Sequence, residues 1–255
     1  MRPEGLRTSD LDRRAATQDF ALQTAVVTGA GSGIGRAVAL ALAGKGAVVC
    51  AVGRRLDRLE DLAQEAGGDV RCYSADLTLD EEVGALVELL SADVDDIDVL
   101  IHGAGIISLG PVASASVADL DAQYRTNVRA PYLLTQRLLP MLIKTRGQIV
   151  FVNSSAGLRS TANAGQYAAT KHALKAIADA FRAEVNPQGV RVLSVYPGRT
   201  ATPMQAGIHD AEGKAYEPER LLQPEEVASI ILASLALPRS AEVTEISVRP
   251  AIKPP

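Results

Sequence analysis

The chain has 255 residues, of which 47% are hydrophobic and 22% charged, and its formal net charge is −4. The absence of a basic block argues against nucleic acid or an anionic membrane as a partner. Aromatic residues make up only 4% and tryptophan is absent, so a core of Ala, Val, Leu and Ile is expected, as suits parallel strands covered by helices.

Residues 1–21 are predicted to form an N-terminal tail ahead of a single domain over residues 22–255. The tail is rich in charge and lacks the apolar core that a signal peptide needs, so we expect a flexible arm. The longest later apolar stretches are interrupted well short of a bilayer span. The sequence therefore predicts a cytoplasmic protein with no membrane partner.

Short β-branched runs alternate with helical Ala/Leu-rich runs along the rest of the chain. The predicted strands cover residues 24–28, 47–52, 69–74, 99–102, 148–152, 190–195 and 243–248. The predicted helices cover residues 34–43, 56–66, 80–90, 118–144, 167–185 and 224–237. Such alternation is typical of βαβ units, and it predicts one doubly wound α/β sheet of about seven parallel strands with helices on both faces.

The two cysteines and three histidines show no ligand pattern. Cys50 and Cys72 each lie in an apolar, strand-like run, which predicts small buried hydrophobes in a reducing compartment. His102, His172 and His209 have no helical or paired ligand spacing, so no metal site is predicted.

A glycine-rich turn, Thr-Gly-Ala-Gly-Ser-Gly-Ile-Gly at residues 28–35, joins the first strand to the first helix. Without side chains, the backbone N–H groups at the helix start can approach a pyrophosphate, although glycine also serves ordinary tight turns. The position after the first strand favours a dinucleotide. The predicted cofactor contacts here are Gly29, Ser32, Gly33, Ile34 and Gly35.

The end of the second strand indicates which dinucleotide binds. A chain that selects NAD usually carries an acidic residue here for the ribose 2′-hydroxyl, but Gly53 offers no carboxylate. Arg54 and Arg55 follow, and their guanidinium groups suit a 2′-phosphate. We therefore expect NADP(H) in preference to NAD(H), the alternative being that both arginines are solvated charges at a helix start.

The third and fourth strands end in further candidates. Asp76 could accept a hydrogen bond from the adenine amino group, or could cap the following turn. Gly103, Ala104 and Gly105 would let the backbone pass close to a ribose and nicotinamide. His102 before them is predicted to be a packed or capping residue rather than a proton donor.

The catalytic candidates lie beyond the fifth strand. Tyr167 and Lys171 are spaced i, i+4, which puts both on one helical face. An ammonium beside a phenol should lower the phenol pKa from about 10 and suit it to general acid–base work. Ser154 or Ser155 stands at the carboxyl end of the strand, where ligands bind in such sheets. Asn127 could be a helix cap or a polar link in a proton path.

In these motifs the chain resembles the short-chain dehydrogenase/reductase family over about residues 22–250, which implies a Rossmann-type fold. The family's serine lies thirteen residues before its tyrosine, which matches Ser154 rather than Ser155. The remaining matches are the glycine turn, the acid Asp76, the helical Asn127, Pro197 with Gly198, and the downstream Thr202. Two residues that adjoin these motifs, Leu77 and Thr200, are assigned to the same cofactor site.

The sequence departs from the family pattern in three places. His102 stands where the family has an asparagine that braces the central sheet. Ser32 replaces a basic residue frequent in NADP-preferring members, which leaves the 2′-phosphate to Arg54 and Arg55. The C-terminal stretch over residues 246–250 lacks the usual closing glycine pair.

The resemblance implies a reaction as well. Hydride passes from NADPH to a carbonyl carbon, Ser154 orients the carbonyl oxygen, and Tyr167 protonates the alkoxide. Lys171 lowers the Tyr167 pKa and binds the nicotinamide ribose, and Asn127 holds a water that links Lys171 to solvent. The expected substrate is a small to medium ketone, or a secondary alcohol or hydroxy acid, and residues 204–222 are expected to form a lid over it.

Two other functions are considered. A catalytically inactive cofactor-binding regulator should have lost catalytic residues, but all four positions are filled. A sugar-nucleotide epimerase or dehydratase usually carries a larger C-terminal substrate region than follows Pro197. Family members pair their fourth and fifth long helices between subunits, and residues 118–144 and 167–185 have apolar positions beyond one face, so a homodimer or homotetramer is expected.

Overall fold

Seven parallel strands form one sheet in the computed structural model, which describes residues 20–252, and their order is β3-β2-β1-β4-β5-β6-β7. The strands are β1 Thr24–Thr28, β2 Val48–Gly53, β3 Val70–Ser74, β4 Val99–His102, β5 Gln148–Val152, β6 Arg191–Pro197 and β7 Glu245–Val248. The order reverses direction between β1 and β4, which opens a crevice at their carboxyl ends. The predicted sheet of parallel strands is confirmed.

Eight α-helices connect the strands of the described chain. They are α1 Gly33–Ala43, α2 Leu56–Ala66, α3 Asp80–Asp93, α4 Val117–Tyr124, α5 Ala130–Thr145, α6 Gly165–Val185, α7 Pro203–Ala211 and α8 Pro224–Leu235. The single helix predicted over residues 118–144 is interrupted by a π-helical turn, Arg125–Arg129, between α4 and α5. Among residues 20–252, none of the helices combines the length and the apolar character that crossing a bilayer requires.

Each strand sends alternate side chains to two separate cores. On one face Ala25 and Val27 of β1 pack with α1 and α8. On the other face Val26 packs among apolar residues of α3, α5 and α6. Because both faces are buried, the central strands are apolar throughout, and β5 is buried at all five positions.

The predicted tail falls mostly outside the described residues, since residues 1–19 are not among them. Its last two residues pack against the body. Phe20 is buried in the core beside α1, and the Ala21 side chain lies 3.2 Å from the position that a Cβ would take at Gly46.

The cysteines differ in burial. Cys50 on β2 is fully buried, as predicted, and burial raises the pKa of its thiol to about 11. Cys72 is only partly buried, because β3 is the edge strand of the sheet and neighbours do not fully enclose it.

Three glycines bring the first strand, the first helix and the fourth strand into direct backbone contact. A Cβ at Gly35 would lie 2.4 Å from the Gly29 carbonyl oxygen, and one at Gly103 would lie 2.7 Å from the Thr28 carbonyl oxygen. Gly29 has a φ of +69° and would place a Cβ 2.7 Å from Gly103. No side chain fits between these segments, so this contact, rather than turn formation alone, requires glycine.

The expected lid, residues 204–222, contains a helix that the sequence analysis did not predict. Thr202 caps α7 by accepting a hydrogen bond from the Gln205 N–H at 3.2 Å, and Pro203 occupies its first turn. The segment ends in backbone hydrogen bonds between Leu222 and the chain at Arg199 and Ala201. Both ends are therefore attached to the body of the fold.

His102 is a packed residue, as expected, and it replaces the bracing asparagine with a different contact. It is 4% exposed, its Nε2 lies 2.8 Å from the Thr135 hydroxyl, and its ring stacks on Phe151 at 4.9 Å between centroids. The histidine therefore joins β4 to α5 and β5. Burial lowers the pKa of His102 from 6.5 to about 3, so the ring is neutral in the folded protein.

This burial predicts an acid-sensitive contribution to stability. Below pH 6.5 His102 takes up a proton in the unfolded chain but stays neutral in the folded chain. The free energy of unfolding therefore falls as the pH falls toward 3. Between pH 7 and pH 5 the free energy of unfolding should fall by roughly 2 kcal/mol more in the wild type than in His102→Asn. Urea titrations at both pH values measure this, and His172→Asn, at an exposed histidine, is the control. Equal losses in wild type and His102→Asn would contradict the prediction.

Candidate active site

A cleft of about 1260 Å³ opens along the carboxyl ends of the strands. All but one of the predicted site residues line it, and the exception is Asn127. The predicted residues that line the cleft are Gly29, Ser32, Gly33, Ile34, Gly35, Arg54, Arg55, Asp76, Leu77, Gly103, Ala104, Gly105, Ser154, Tyr167, Lys171, Pro197, Gly198, Thr200 and Thr202. The fold therefore brings together residues that are far apart in the sequence.

The glycine turn presents the start of α1 to the cleft. Ser32 precedes the helix without capping it through its side chain, so the first N–H groups of α1 remain available to an anion. Gly33 has a φ of +55°, and the Thr202 methyl group lies 3.0 Å from where its Cβ would stand. Thr202 therefore faces the turn from the opposite side of the cleft.

Positive charge collects at the end of β2. Arg54, Arg55 and Arg58 line this part of the cleft together. Arg58 was not predicted from the sequence, and its Cβ lies 3.2 Å from the position that a Cβ would take at Gly31. Its spacing of three residues from Arg55, at the start of a helix, was the available signal.

Asp76 stands across from these arginines and is ionised. Its carboxylate accepts hydrogen bonds from the Thr78 N–H at 3.0 Å and the Thr78 hydroxyl at 2.8 Å. The backbone hydrogen bond from Thr78 is the main reason that the Asp76 pKa lies below its usual value, and the charge of Arg54 adds to it. Asp76 thus closes a turn and also faces the cleft.

Ser154 and Tyr167 stand close together at the end of β5, where the Ser154 hydroxyl acts to lower the pKa of the Tyr167 phenol. Ser154 Oγ accepts a hydrogen bond from the Ala156 N–H at 3.1 Å, which leaves its own proton free to donate. Ser155 is exposed and begins the 3₁₀ turn that follows. The proximity of Ser154 to the Tyr167 phenol therefore favours Ser154 over Ser155 as the serine of the site.

The prediction that Lys171 lowers the pKa of Tyr167 is wrong. Tyr167 as a whole is half-buried, but burial around its hydroxyl raises its pKa to about 12, although the nearby Ser154 hydroxyl acts to lower it. The Lys171 ammonium lies 5.8 Å from the Tyr167 ring centroid and donates to the Val152 carbonyl oxygen at 3.1 Å. Burial also lowers the pKa of Lys171 to about 8, which weakens the charge that was expected to act on the phenol.

Asn127 lies behind the cleft wall, inside the π-helical turn. Its Oδ1 accepts from the Ile106 N–H at 2.9 Å, and its Nδ2 donates to the Ile106 carbonyl oxygen at 2.9 Å and to the Thr170 hydroxyl at 3.1 Å. The alternative of a simple helix cap is wrong, because these bonds go to the loop after β4 and to α6 instead of to the first turn of a helix. Its Oδ1 also stands 3.3 Å from the Cβ position of Gly105.

Asn153 is a site residue that the sequence analysis missed. It is 4% exposed, its Oδ1 accepts from the Ser154 N–H at 2.9 Å, and its Nδ2 donates to the Lys171 carbonyl oxygen at 3.1 Å. It therefore joins the backbones of two candidate catalytic residues. A polar residue directly after an apolar strand was the signal that could have revealed it.

The remaining cleft surface differs between its two walls. The loop after β4 and one side of α7 are apolar, with Ile106, Ile107, Leu109, Met204 and Ile208 lining the space beyond Tyr167. Three charged residues that the sequence analysis did not assign to the site, Arg199, Glu212 and Lys214, also line the cleft. The cleft thus offers apolar contact and charge around the serine–tyrosine pair.

Known proteins resemble this chain over most of its length. A family model described as short chain dehydrogenase matches residues 23–213. An uncharacterized oxidoreductase of Staphylococcus aureus (strain USA300) is 32% identical over 230 residues, which cover 89% of this chain and 97% of the relative.

Solved structures agree with this match. The alcohol dehydrogenase of the archaeon Thermococcus sibiricus, complexed with 5-hydroxy-NADP, is 28% identical with a TM-score of 0.82, over 91% of this chain and 98% of that one. The 3-ketoacyl-(acyl-carrier-protein) reductase of Brucella melitensis, complexed with NADH, is 27% identical with a TM-score of 0.79, over 90% and 97% of the two chains. Because the family model covers most of the sequence and the sheet agrees with these structures, the chain belongs to the short-chain dehydrogenase/reductase family and is an oxidoreductase acting on CH–OH or C=O groups.

Proposed function

We propose that the chain is an NADP(H)-dependent carbonyl reductase and alcohol dehydrogenase with Tyr167 as its general acid–base. The observation that carries the proposal is the close placement of Ser154, Tyr167 and Lys171 in the cleft that also contains the glycine turn. The proposed substrate is a small to medium ketone, or the corresponding secondary alcohol or hydroxy acid.

Glycine residues along the cleft leave space for a dinucleotide. A Cβ at Gly33 would approach Thr202 to 3.0 Å, and one at Gly105 would approach the Lys171 ammonium to 3.8 Å, so both glycines keep space open along the cleft. The start of α1 would hold the pyrophosphate, and the arginines after β2 would hold a 2′-phosphate. When bound, the cofactor supplies the hydride that reduces the carbonyl carbon.

The chain's own residues would bind the substrate carbonyl oxygen and supply the proton for the alkoxide. The free proton of the Ser154 hydroxyl would donate to the carbonyl oxygen and orient it. A Tyr167 phenol with a pKa of about 12 is protonated at neutral pH, so it is ready to protonate the alkoxide formed in reduction. Lys171, with a pKa of about 8, can exchange protons with its surroundings near neutral pH. Asn127 beside Gly105 would support a water on the path from Lys171 to solvent.

Local residues, rather than the fold, support the preference for NADP(H). The Thermococcus structure carries 5-hydroxy-NADP and the Brucella structure carries NADH, so this architecture accepts both kinds of cofactor. In this chain three arginines line the cleft after β2, where Gly53 provides no carboxylate for a ribose 2′-hydroxyl. Charge-assisted hydrogen bonds from these guanidinium groups would hold a 2′-phosphate more strongly than a neutral ribose 2′-hydroxyl.

The alternatives have less support. A cofactor-binding regulator without activity does not need Ser154 close to Tyr167 or the buried Lys171. An epimerase or dehydratase acting on sugar nucleotides would use a larger substrate region than the two helices and one strand described after β6. We also propose a cytoplasmic location, and a homodimer or homotetramer that covers exposed apolar side chains of α4 and α5, among them Val117, Tyr124 and Tyr132.

Tyr167→Phe should abolish most of the turnover while leaving cofactor binding intact, because the ring still packs but its proton is gone. Loss of general acid catalysis predicts a decrease in kcat of about 100- to 10 000-fold. Absorbance of NADPH with a carbonyl panel measures kcat, and fluorescence titration measures cofactor affinity. The control is Tyr124→Phe at an exposed tyrosine of α4. Turnover in Tyr167→Phe comparable with the wild type would remove Tyr167 from the mechanism.

Arg54→Ala should weaken NADPH binding and hardly change NADH binding. Losing a charge-assisted hydrogen bond costs ~1.5–3 kcal/mol, which predicts a Kd increase of about ten- to a hundredfold for NADPH. Arg137→Ala, at an exposed arginine of α5, is the matched control. Equal affinity of the wild type for both cofactors in fluorescence titrations would refute the preference.

Residues 204–222 should behave as a lid that closes over the bound substrate. The segment is attached at Thr202 and Leu222, while the Cβ positions of Gly207 and Gly213 between them are not contacted within 4 Å by more distant parts of residues 20–252. Amides from Gln205 to Arg220 should therefore exchange more slowly with NADP(H) and substrate bound than in the free chain. Hydrogen exchange followed by mass spectrometry compares the two states, with α3 as an internal reference. Identical exchange in both would show an ordinary surface connection.

A further inference from the structure

Three charged side chains form a cluster at the end of α7, and we name Arg199, Glu212 and Lys214 the lid cluster. Arg199 Nη2 lies 2.8 Å and 3.0 Å from the two Glu212 carboxylate oxygens, and Lys214 Nζ lies 3.2 Å from Glu212 Oε2. Two cations therefore share one carboxylate. The cluster retains one net positive charge, and all three residues line the cleft.

The backbone fixes the position of Lys214. The helix α7 ends with Gly213 in the left-handed region, at a φ of +64°. The Gly213 N–H donates to the Asp210 carbonyl oxygen at 3.0 Å, and the Lys214 N–H donates to the His209 carbonyl oxygen at 2.9 Å. This pair of bonds is a Schellman motif, which turns the chain back across the helix end and brings Lys214 beside Glu212.

Arg199 is held equally firmly from the other side. It directly follows Pro197 and Gly198, and its Nη1 lies 3.4 Å from Nε2 of His209. His209 is 5% exposed, and its Nδ1 lies 2.9 Å from the Gln205 carbonyl oxygen. The Tyr216 ring packs edge-on against His209 at 5.4 Å between centroids. The lid cluster is thus a built feature of the cleft wall.

The shared carboxylate remains ionised. Burial alone would raise the Glu212 pKa, but hydrogen bonds from Arg199 and Lys214 outweigh burial and hold that pKa below its usual range. Glu212 therefore neutralises one cation near neutral pH. Lys214 is the more exposed cation, with 48% of its side chain accessible against 32% for Arg199, so it carries the donors that a ligand can reach.

The surroundings indicate what such a ligand looks like. Met204 and Ile208 lie on α7, at whose end the lid cluster stands, and Ile106, Ile107 and Leu109 line the apolar loop wall. Lys171 is 4% exposed and donates one hydrogen bond to the Val152 carbonyl oxygen, so it offers a substrate anion much less accessible surface than Lys214 does. A ligand that reaches from Tyr167 to the lid cluster would meet apolar side chains and then a single positive charge.

We propose that the lid cluster is a subsite for a carboxylate of the substrate, so that the enzyme prefers oxo acids and hydroxy acids to their neutral analogues. This inference rests on the proposed carbonyl reduction, in which the oxo acid gains hydride from NADPH and a proton from Tyr167 and becomes the hydroxy acid, leaving NADP⁺. One net positive charge matches one carboxylate. The apolar wall accommodates the carbon chain between the carbonyl and the carboxylate.

Binding of levulinate and of methyl levulinate to the wild-type chain saturated with NADP⁺ tests the subsite without turnover, because NADP⁺ holds no hydride. Isothermal titration should show levulinate binding about fivefold tighter than its ester, as one partly exposed charge contact allows. Lys214→Met should remove this difference, and Lys214→Glu should make the ester the better ligand. Glu212→Gln, which leaves two positive charges, should widen the preference for levulinate. Lys45→Met, at an exposed lysine outside the cleft, is the control and should behave as the wild type.

The outcomes separate the subsite from the reaction. Equal affinity for levulinate and its ester, with NADP⁺ bound and neutral ketones reduced, overturns the subsite and leaves the proposed function intact. Weaker NADP⁺ binding by Lys214→Met with an unchanged preference for levulinate would assign Lys214 to a cofactor phosphate, which also overturns the subsite. Failure of the wild type to bind either cofactor or reduce any carbonyl overturns the proposed function itself.

Discussion

Backbone contact among Gly29, Gly35 and Gly103 is the constraint on which the cleft depends. The glycine turn after β1 and the exit from β4 touch without an intervening side chain, because a Cβ at any of these positions would lie within 2.7 Å of backbone atoms. The Thr28 hydroxyl at the end of β1 adds to this contact. It accepts hydrogen bonds from the N–H groups of Gly103 and Ala104, after β4, at 3.1 Å and 3.2 Å. These contacts hold the two strand ends together, and the start of α1 faces the same cleft as the loop after β4.

Two buried amides then set the helix that carries Tyr167 against this frame. Asn127 reaches the Thr170 hydroxyl from the loop side, and Asn153 reaches the Lys171 carbonyl oxygen from the end of β5. These attachments fall on consecutive residues of α6, from opposite sides. Buried amides with their hydrogen bonds satisfied are costly to displace. The tyrosine and lysine are therefore positioned by contacts one helical turn beyond Tyr167, as well as by the helix itself.

Strand limits that depend on local sequence pattern could be predicted from the sequence. Features that depend on packing between distant segments could not. The strands over residues 24–28, 99–102 and 148–152 follow from apolar runs with sharp ends, and their limits agree with β1, β4 and β5. The short helix α7 escaped detection because Gly207 and polar residues obscure its periodicity. The pKa of Tyr167 could not be derived from its spacing to Lys171, because burial acts on both groups and no sequence pattern reports how much solvent each loses. Asn153 and Arg58 each carried a short local signal, but their contacts followed only from the positions of the strand ends and of the first turn of α2 in space.

Because of the π-helical turn between α4 and α5, a deletion there should affect the fold differently from a deletion in α6. A π turn holds one more residue than the α-helical turn it replaces. Deleting one residue from Arg125–Arg129 would let α4 and α5 continue as one regular helix, so the fold would survive, while the Asn127 amide would lose its place beside Ile106. Deleting one residue between Tyr167 and Lys171 in α6 would instead rotate one side chain by about 100° from the other. A deletion at the π turn would thus keep the architecture and lose the Asn127 contacts, whereas a deletion in α6 would move Tyr167 and Lys171 off their shared helical face.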